Sequence, residues 1–473
     1  MTAEGNKQNA FKAGVWYTVS NIAAKAILVL TTPIFTRMMS TEDYGMASIF
    51  TSWYSLLVVF CSLNLTYSIG RAKIDFPGKL DEYVGAMQLL ALVNCLVLAG
   101  GALLFLGPVS AIMGMERPMV LLLIAYLMCA PTVLLYQSKY KYLYRYRENI
   151  LITAFIAVGS VAVSIMALSC MRENRYYGRI FGAVLPMAVL SLGFWFRSVK
   201  NRFLCFNRTY FLYGLTISLP LILNSVSLNI LAQSDRIMIS RFKGPAMAGI
   251  YTLAYQFAIL ISLFFDSVNQ AWLPWFHDAF AAGEYKAIRE NVKPLVVFGG
   301  YIGLMCIAAA PEAIWILGGN HYMEGRWVVA PIALGLVCKF VFANYEHIEL
   351  HLKKTGYIAM GTAMAAALNL ALNWIFIPRY GFVAAGCTTC FSYFALMTVH
   401  YFITTKIMKI KLYHNRFMYL SLAGVCAGAG GFVCLYPYTA ARYGFAALLT
   451  AVYGYRNRVL LLNILRRKRK ADK

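Results

Sequence analysis

Six ionisable side chains lie inside long apolar runs or at their ends, where an uncompensated charge is costly. They are three cations within the runs, two carboxylates and one arginine at a run end: Lys25, Arg236, Lys339, Asp235, Asp266 and Arg71. Ionisable groups in a bilayer normally face a protein interior or a water-filled cavity. Lysine supplies a compact charge and arginine a planar fork for phosphate oxygens. The four cations are therefore predicted to bind an anionic head group, a phosphate or a sugar acid, with Arg71 at a cytoplasmic entry.

Each of these residues also has a structural interpretation. Asp235 and Asp266 can neutralise a neighbouring cation in an ion pair between helices, and Arg71 can be an exposed loop arginine. Lys25 fits that interpretation poorly, because the apolar runs of the first half carry no carboxylate near their middle. Several intramembrane amides suit sugar hydroxyls or hydrogen bonds between helices, and both interpretations stay open: Asn64, Asn224, Asn229, Gln256 and Asn269.

The elements that carry these residues are predicted to be transmembrane helices. The chain has 473 residues, of which 60% are hydrophobic and 13% charged. Its apolar runs reach the roughly 20 residues that span a hydrocarbon core, and only helices are compatible with such runs against lipid. The sequence predicts an all-α polytopic membrane protein with about 14 spans: 15–36, 44–66, 84–106, 119–136, 150–170, 180–196, 211–234, 249–272, 295–316, 327–349, 357–377, 382–404, 417–437 and 440–462.

The net charge of +24 follows the positive-inside rule and does not indicate a nucleic-acid partner. If the N-terminus is cytoplasmic and the spans alternate, 30 of the 43 lysines and arginines lie on the cytoplasmic side and 10 on the other. A bias of this size over short loops predicts that both termini are cytoplasmic. Membrane lipids are the expected partners of the basic tail 466–470.

A repeat divides the chain into two matching halves. Three landmarks recur at offsets of 203 or 204 residues: Arg37 and Gly45 with Arg241 and Gly249, Pro108 with Pro311, and Arg175 and Gly182 with Arg379 and Gly386. The period holds six spans, an even number, so the halves enter the membrane in the same sense. The predicted domains are a six-helix bundle at 1–208, a second one at 209–404, and two further helices with a basic tail at 405–473.

The sequence contains no constellation typical of an enzyme. His347 and His351 lie one helical turn apart, but no third metal ligand is evident, and Cys387 and Cys390 form a CxxC without a second pair. No metal site and no catalytic residue is predicted, and every loop is short. The polar segment 275–293 is predicted to form an amphipathic helix on the cytoplasmic face.

Four segments in order resemble a known family: TPIFTRMMSTEDYG, QSDRIMISRFKGPAMAGIYTLAYQFA, APEAIWILGG and FIPRYGFVAAG. They are similar to the polysaccharide-biosynthesis flippases, the Wzx-like branch of the multidrug/oligosaccharidyl-lipid/polysaccharide exporter superfamily. The resemblance runs over the first twelve predicted spans. It implies two six-helix bundles around a cationic cavity that works by alternating access. It further implies that undecaprenyl-pyrophosphate-linked oligosaccharide moves from the inner to the outer leaflet of a bacterial plasma membrane.

Within that resemblance the charged residues acquire roles. Lys25, Arg236 and Lys339 would neutralise pyrophosphate or acidic sugars, and Asp235 or Asp266 would carry a coupling proton or sodium ion. No other cofactor is expected, and a polysaccharide polymerase is the expected protein partner, in capsule, exopolysaccharide or O-antigen assembly. Two alternatives remain, a multidrug exporter of the same superfamily and, more remotely, a polytopic polysaccharide polymerase or ligase. Cationic drugs would favour a cavity rich in carboxylates, and a polymerase would need a large external loop.

Overall fold

A computed structural model describes residues 29–458, together with residues 16, 23, 26 and 27. Throughout this part of the chain the backbone is helical apart from turns, and no strand occurs in it. This is the outcome that a hydrocarbon environment imposes, because helices satisfy their own backbone hydrogen bonds. The predicted first span, 15–36, lies largely outside the described residues, and Lys25 lies outside them.

Eighteen helices follow one another in the described residues. The first nine are α1 (29–38), α2 (Thr41–Ser62), α3 (Ile69–Asp75), α4 (Leu80–Leu104), α5 (Leu106–Met113), α6 (Arg117–Tyr142), α7 (Tyr146–Cys170), α8 (Tyr176–Lys200) and α9 (Arg208–Lys243). The others are α10 (Pro245–Ala258), α11 (Leu260–Ala281), α12 (Tyr285–Ala308), α13 (Ala310–Gly318), α14 (Arg326–His351), α15 (Thr355–Tyr380), α16 (Phe382–Phe402), α17 (Asn415–Cys434) and α18 (Thr439–Arg456). A π-helical turn, Ile403–Ile407, continues α16.

Within the described residues, twelve helical segments are long and apolar enough to cross a membrane. They correspond to the second to thirteenth predicted spans. The fourteenth, 440–462, overlaps α18, which is not among the twelve. The guanidinium of Arg442 on α18 is fully buried and bonds the carboxylate of Glu312, so this helix is attached to α13 by a charged pair. The multi-span, all-helical prediction is confirmed.

The chain divides into two compact units. Unit 1 comprises residues 1–253, 317–322 and 359–388, and unit 2 comprises residues 254–316, 323–358 and 389–473. Unit 1 contains α2 to α9 and most of α15, and unit 2 contains α11, α12, α14 and α17. The predicted domain boundaries after residues 208 and 404 stay a prediction.

The two arginine–glycine corners found in the sequence meet inside unit 1. A Cβ on Gly45 would overlap the carbonyl oxygen of Pro245, and a Cβ on Gly249 would overlap that of Thr41. The two contacts are equivalent under the repeat, because positions 41 and 45 become 245 and 249 at the offset of 204. The hydroxyls of Ser48 and Thr252, which are also 204 residues apart, form a hydrogen bond of 2.6 Å. Reciprocal contacts of this kind are what a two-fold axis produces.

The corner is built by local sequence. Ser40 caps α2: its Oγ accepts a hydrogen bond from the amide of Asp43, and the Asp43 carboxylate accepts from the Ser40 amide in return. This capping box fixes where α2 begins, one turn before Gly45. Glycine then lets the backbones of α2 and α10 approach closely, as small residues do between membrane helices. The charges predicted around this corner at Arg37 and Arg241 remain exposed.

The prediction for segment 275–293 is wrong. Instead of one helix on the membrane surface, α11 continues to Ala281, the chain turns at 282–284, and α12 begins at Tyr285. The turn forms at Gly283, whose φ of 74° lies in the left-handed region that glycine tolerates. Polarity indicated that the segment does not cross the membrane, but it did not reveal that the segment closes a helical hairpin.

Candidate functional site

Asp235 is the centre of a buried polar cluster in unit 1. It lies on α9, its exposed fraction is 1%, and each carboxylate oxygen accepts a hydrogen bond. The hydroxyl of Tyr251 on α10 donates to Oδ2 at 2.5 Å, and the amide of Asn373 on α15 donates to Oδ1 at 2.6 Å. Donors on both oxygens stabilise a buried carboxylate in its charged form. The cluster thus holds a carboxylate at a fixed place where three helices meet.

Asn373 links this carboxylate to a wider network of buried polar side chains. Asn373 also donates to the Oδ1 of Asn369 at 3.1 Å, and Ser234 donates to the same oxygen at 3.3 Å. The hydroxyl of Thr388 on α16 donates to the Oδ1 of Asn373. Asn369 and Asn373 are both fully buried. A carboxylate, amide oxygens and a hydroxyl are the oxygen ligands that hard cations prefer.

The guanidinium of Arg236, the next residue on α9, forms hydrogen bonds with groups on its own helix. Its exposed fraction is 7%, and its Nη1 donates to the carbonyl of Ala232 at 2.7 Å and to the Oε1 of Gln233 at 2.5 Å. Gln233 in turn accepts a hydrogen bond from Ser52 on α2 at 3.3 Å. The guanidinium is therefore held against its own helix, close to α2.

Lys339 and Asp266 belong to unit 2. Lys339 is exposed although it lies within the apolar segment 320–351, and its Nζ lies 5.8 Å from the centre of the Tyr393 ring. Asp266 on α11 is likewise exposed. Because a lysine facing lipid is costly, an exposed lysine at this depth indicates a polar or aqueous neighbourhood. The predicted site residues in the described part of the chain are thus distributed over both units, and only Asp235 and Arg236 are neighbours in sequence.

Arg71 is paired with an acidic residue one turn further along α3. Its Nε lies 3.0 Å from the Oδ2 of Asp75, and the arginine side chain is 68% exposed. The hydroxyl of Tyr213 on α9 donates to the same oxygen at 2.7 Å. These hydrogen bonds, first from Tyr213 and then from Arg71, lower the pKa of the Asp75 carboxyl. Arg71 is thus an exposed arginine of α3 that pairs with Asp75, and Asp75 links α3 to α9 through Tyr213.

The contact between Tyr213 and Asp75 should give a small pH-dependent stability. A lowered pKa in the folded protein stabilises it above the ordinary carboxyl pKa of 3.8, and this stabilisation is lost as the pH falls through the lowered value. We expect Tyr213→Phe to lower the melting temperature slightly at neutral pH and not at all in strong acid. Thermal unfolding in detergent across that pH range measures it, with Tyr357→Phe on α15 as the control. An equal deficit at every pH would exclude the carboxylate as the cause.

Sequence reasoning missed Tyr251, Asn369, Asn373 and Thr388. A signal was present, because Asn369 and Asn373 lie four residues apart in an apolar run, so that both amides share one helix face. Of the amides that were singled out, Asn64 donates to the carbonyl of Leu221 at 3.3 Å and to the hydroxyl of Ser225 at 2.9 Å. For Asn64 this supports the interpretation as a hydrogen bond between helices.

The two histidines of α14 both face α11, and the nearby Glu349 faces α16. His351 approaches His277 on α11, with 3.0 Å between their Nδ1 atoms, while Glu349 bonds His400 on α16. Within residues 29–458 no group of three or more histidine, cysteine, aspartate or glutamate side chains is arranged to hold a metal ion.

Residues 10–280, more than half of the chain, match the model of a family described as "Polysaccharide biosynthesis protein". The chain belongs to this family. A relative in Haemophilus influenzae, "Lsg locus putative protein 1", is 22% identical over 84% of this chain and 99% of its own length. A Haloferax volcanii relative, "Probable low-salt glycan biosynthesis flippase Agl15", is 22% identical over 41% of this chain and 43% of its own.

Solved structures share the fold of this family member. The Lipid II flippase MurJ in an inward closed conformation superposes with a TM-score of 0.73 at 12% identity, over 94% of this chain and 100% of its own. An inward-facing multidrug resistance transporter of the MATE family, in the MOP superfamily, gives a TM-score of 0.61 at 14% identity, over 83% and 95% of the two chains. The predicted membership of the polysaccharide-biosynthesis family is confirmed. The protein is a multi-pass membrane protein of this family.

Proposed function

We propose that this protein flips an undecaprenyl-pyrophosphate-linked oligosaccharide from the inner to the outer leaflet by alternating access. The observation that carries the proposal is the family match over residues 10–280, on a chain whose described residues form a polytopic helical fold. A relative whose printed name is a glycan biosynthesis flippase supports it. The oligosaccharide would enter capsule, exopolysaccharide or O-antigen assembly in a bacterial inner membrane, with a polysaccharide polymerase downstream. The positive-inside bias supports cytoplasmic termini.

The cations supply the chemistry for the head group. A pyrophosphate carries its negative charge on oxygens that ammonium and guanidinium groups bind through charge-assisted hydrogen bonds. Lys339 is exposed within an apolar segment, and Arg236 has its guanidinium fixed by Ala232 and Gln233. In this proposal Lys25 and Lys339 bind the head group directly. Arg236 contributes positive potential from its fixed position, and Arg71 receives the head group on the cytoplasmic side.

Transport against a gradient requires a coupled ion, and the Asp235 cluster is our candidate for binding it. Its carboxylate is 1% exposed and is oriented by Tyr251 and Asn373. The ion is a proton or a sodium ion, and oxygen donors suit either. Asp266 is the second candidate carboxylate for this role, and its exposure lowers the free-energy cost of its negative charge.

Removal of the intramembrane lysines should reduce export. We expect Lys25→Ala and Lys339→Ala each to lower surface polysaccharide by about tenfold, the effect of losing one charged contact of about 1.4 kcal/mol. The measurement is surface-polysaccharide staining in a deletion strain complemented at equal membrane levels, together with the amount of lipid-linked oligosaccharide that accumulates inside. The control is Lys286→Ala, a change at an exposed lysine at the start of α12. Normal export by Lys25→Ala would remove Lys25 from the site.

The fold alone does not choose between a flippase and a multidrug exporter, because structures of both superpose on this chain. The family match favours the flippase. Expression in a drug-sensitive host separates the two, since a drug exporter confers resistance and a flippase restores polymer in a strain that lacks its own. Resistance without restored polymer would replace this proposal by the exporter.

A further inference from the structure

A buried pair of titratable side chains that the proposed function does not use lies in unit 2. The Nδ1 of His400 on α16 lies 2.7 Å from the Oε1 of Glu349 near the end of α14. Both side chains have no exposed surface. The ring of Phe342, two turns earlier on α14, lies 4.8 Å from the imidazole and shields it from one side. A histidine and a glutamate are thus enclosed together at an end of a membrane helix.

The outer atoms of this pair are unsatisfied. Among the described residues, the Oε2 of Glu349 and the Nε2 of His400 have no hydrogen-bond partner. Buried polar atoms without partners cost free energy, and a buried ion pair is often less stable than an apolar pair of similar volume. Stability alone therefore gives no reason for this pair. An unpartnered imidazole nitrogen is, however, a place where a proton can be added and removed.

Nearby charged groups influence the binding of a proton at this pair. Glu346, one turn before Glu349 and partly buried, lies close enough to His400, Glu349 and Lys339 to interact with them electrostatically. The elements packed on α14 are α11, α12, α16, α17 and the π-helical turn. Apart from His400, the titratable groups that these elements and the segment after the turn place against α14 are His277, Cys390, Tyr393, Tyr401, Tyr413 and Tyr419.

We propose that Glu349 and His400 form a proton-binding site that gains and loses one proton in each transport cycle. In the proton-free form the neutral imidazole donates from Nδ1 to the Glu349 carboxylate and has a lone pair on Nε2. The proton adds to Nε2 and produces an imidazolium beside the carboxylate, so the net charge of the pair changes from −1 to 0. Because a net charge is costly where water is excluded, the two forms favour different surroundings of α14. The coupling part of this inference rests on the proposed function.

Helix geometry provides an internal control. Positions 347 and 349 are about 200° apart around α14, at 3.6 residues per turn. His347 therefore faces away from the Glu349 side of α14 and lies against Phe276 on α11, with 5.8 Å between ring centres. His351 shares the face of His347 and approaches His277. Changes at His351 alter a histidine on the same helix without touching the pair.

The first arm of the test measures proton binding without any transport. Protein labelled with ¹⁵N-histidine is titrated by NMR in nanodiscs across about pH 5 to 8, where histidine changes charge, and His400→Gln identifies the signal. We expect the His400 signal to report the gain and loss of a proton, and we expect Glu349→Gln to alter its pH response because the substitution removes the charge beside the imidazole. His351→Gln should leave this response unchanged. The double variant Glu349→Gln/His400→Gln keeps a neutral hydrogen-bonded pair and checks folding by its elution profile.

The second arm measures coupling in proteoliposomes loaded with lipid-linked oligosaccharide extracted from native membranes. A gradient of one pH unit can change wild-type flipping by up to about tenfold for one coupled proton. We expect this response to disappear in Glu349→Gln and in the double variant and to persist in His351→Gln. A wild-type protein that flips without responding to the gradient, or variants that respond like wild type, would overturn the coupling. Absence of flipping would instead refute the proposed function, and a His400 that does not titrate would refute the proton site.

Discussion

Asp235→Asn is expected to reduce polysaccharide export at least about tenfold while the protein remains folded. The asparagine has the same shape, and its carbonyl oxygen can still accept from Asn373, while the hydroxyl of Tyr251 can rotate to accept from the new amide. What the substitution removes is the negative charge. A loss of transport in a protein of wild-type melting temperature therefore reports the charge and not the structure. A loss of about 1.4 kcal/mol in a required binding step already corresponds to tenfold.

The control for this prediction is Asp266→Asn, which removes the other candidate carboxylate at an exposed position of α11. Measured side by side at equal membrane levels, the two variants show which carboxylate binds the ion. Repeating the flipping assay with an imposed sodium gradient and with an imposed pH gradient then identifies the ion at Asp235. Full export by Asp235→Asn would reassign the cluster to a purely structural role.

Gly45→Ala is expected to be the most damaging small substitution in the described residues. The added methyl group would overlap the carbonyl of Pro245, a backbone atom that cannot rotate away. Overpacking typically costs about 1–3 kcal/mol, and more where backbone must move. We expect a clearly lower melting temperature in detergent and a smaller yield of monodisperse protein. Gly249→Ala should behave similarly, because its methyl group would overlap the carbonyl of Thr41.

Gly101→Ala is the matched control, because a Cβ there has open space around it in the last turn of α4. Alanine in a helix interior is favoured over glycine by about 0.5–1 kcal/mol, so this variant should be as stable as wild type or more stable. The two substitutions are chemically identical and their expected effects have opposite signs. If Gly45→Ala were as stable as Gly101→Ala, the close approach of α2 and α10 would not exist in the folded protein.

These predictions depend on different amounts of sequence information. The sequence predicted part of the glycine contact, because Gly45 and Gly249 occupy the same position of a repeat with an offset of 204. The repeat predicted that the two corners are equivalent, but equivalence does not require contact. That the two glycines lie at a shared contact, with Ser48 hydrogen-bonded to Thr252, is a property of how α2 and α10 cross.

The Asp235 cluster was visible only in part. The carboxylate itself was prominent, since it interrupts an apolar run. Its partners Tyr251 and Asn373 lie 16 and 138 residues further along, and an isolated tyrosine or asparagine in a membrane helix gives no indication of what it contacts. The same reason explains why the bond from His400 to Glu349, over 51 residues, was not predicted from the histidines of α14.

By itself, the sequence determined the membrane class, the helical architecture, the repeat and the family resemblance. Each of these follows from local hydrophobicity, from charge placement or from motifs read along the chain, which need no knowledge of neighbours in space. Only the tertiary structure decided which polar residues meet, that Arg71 pairs with Asp75, and that segment 275–293 closes a hairpin of two helices. Contacts between distant segments depend on helix rotation and crossing. In a helix of 3.6 residues per turn, each residue rotates the direction of the side chain by about 100° around the helix axis. An apolar run does not specify which of these directions faces a neighbouring helix.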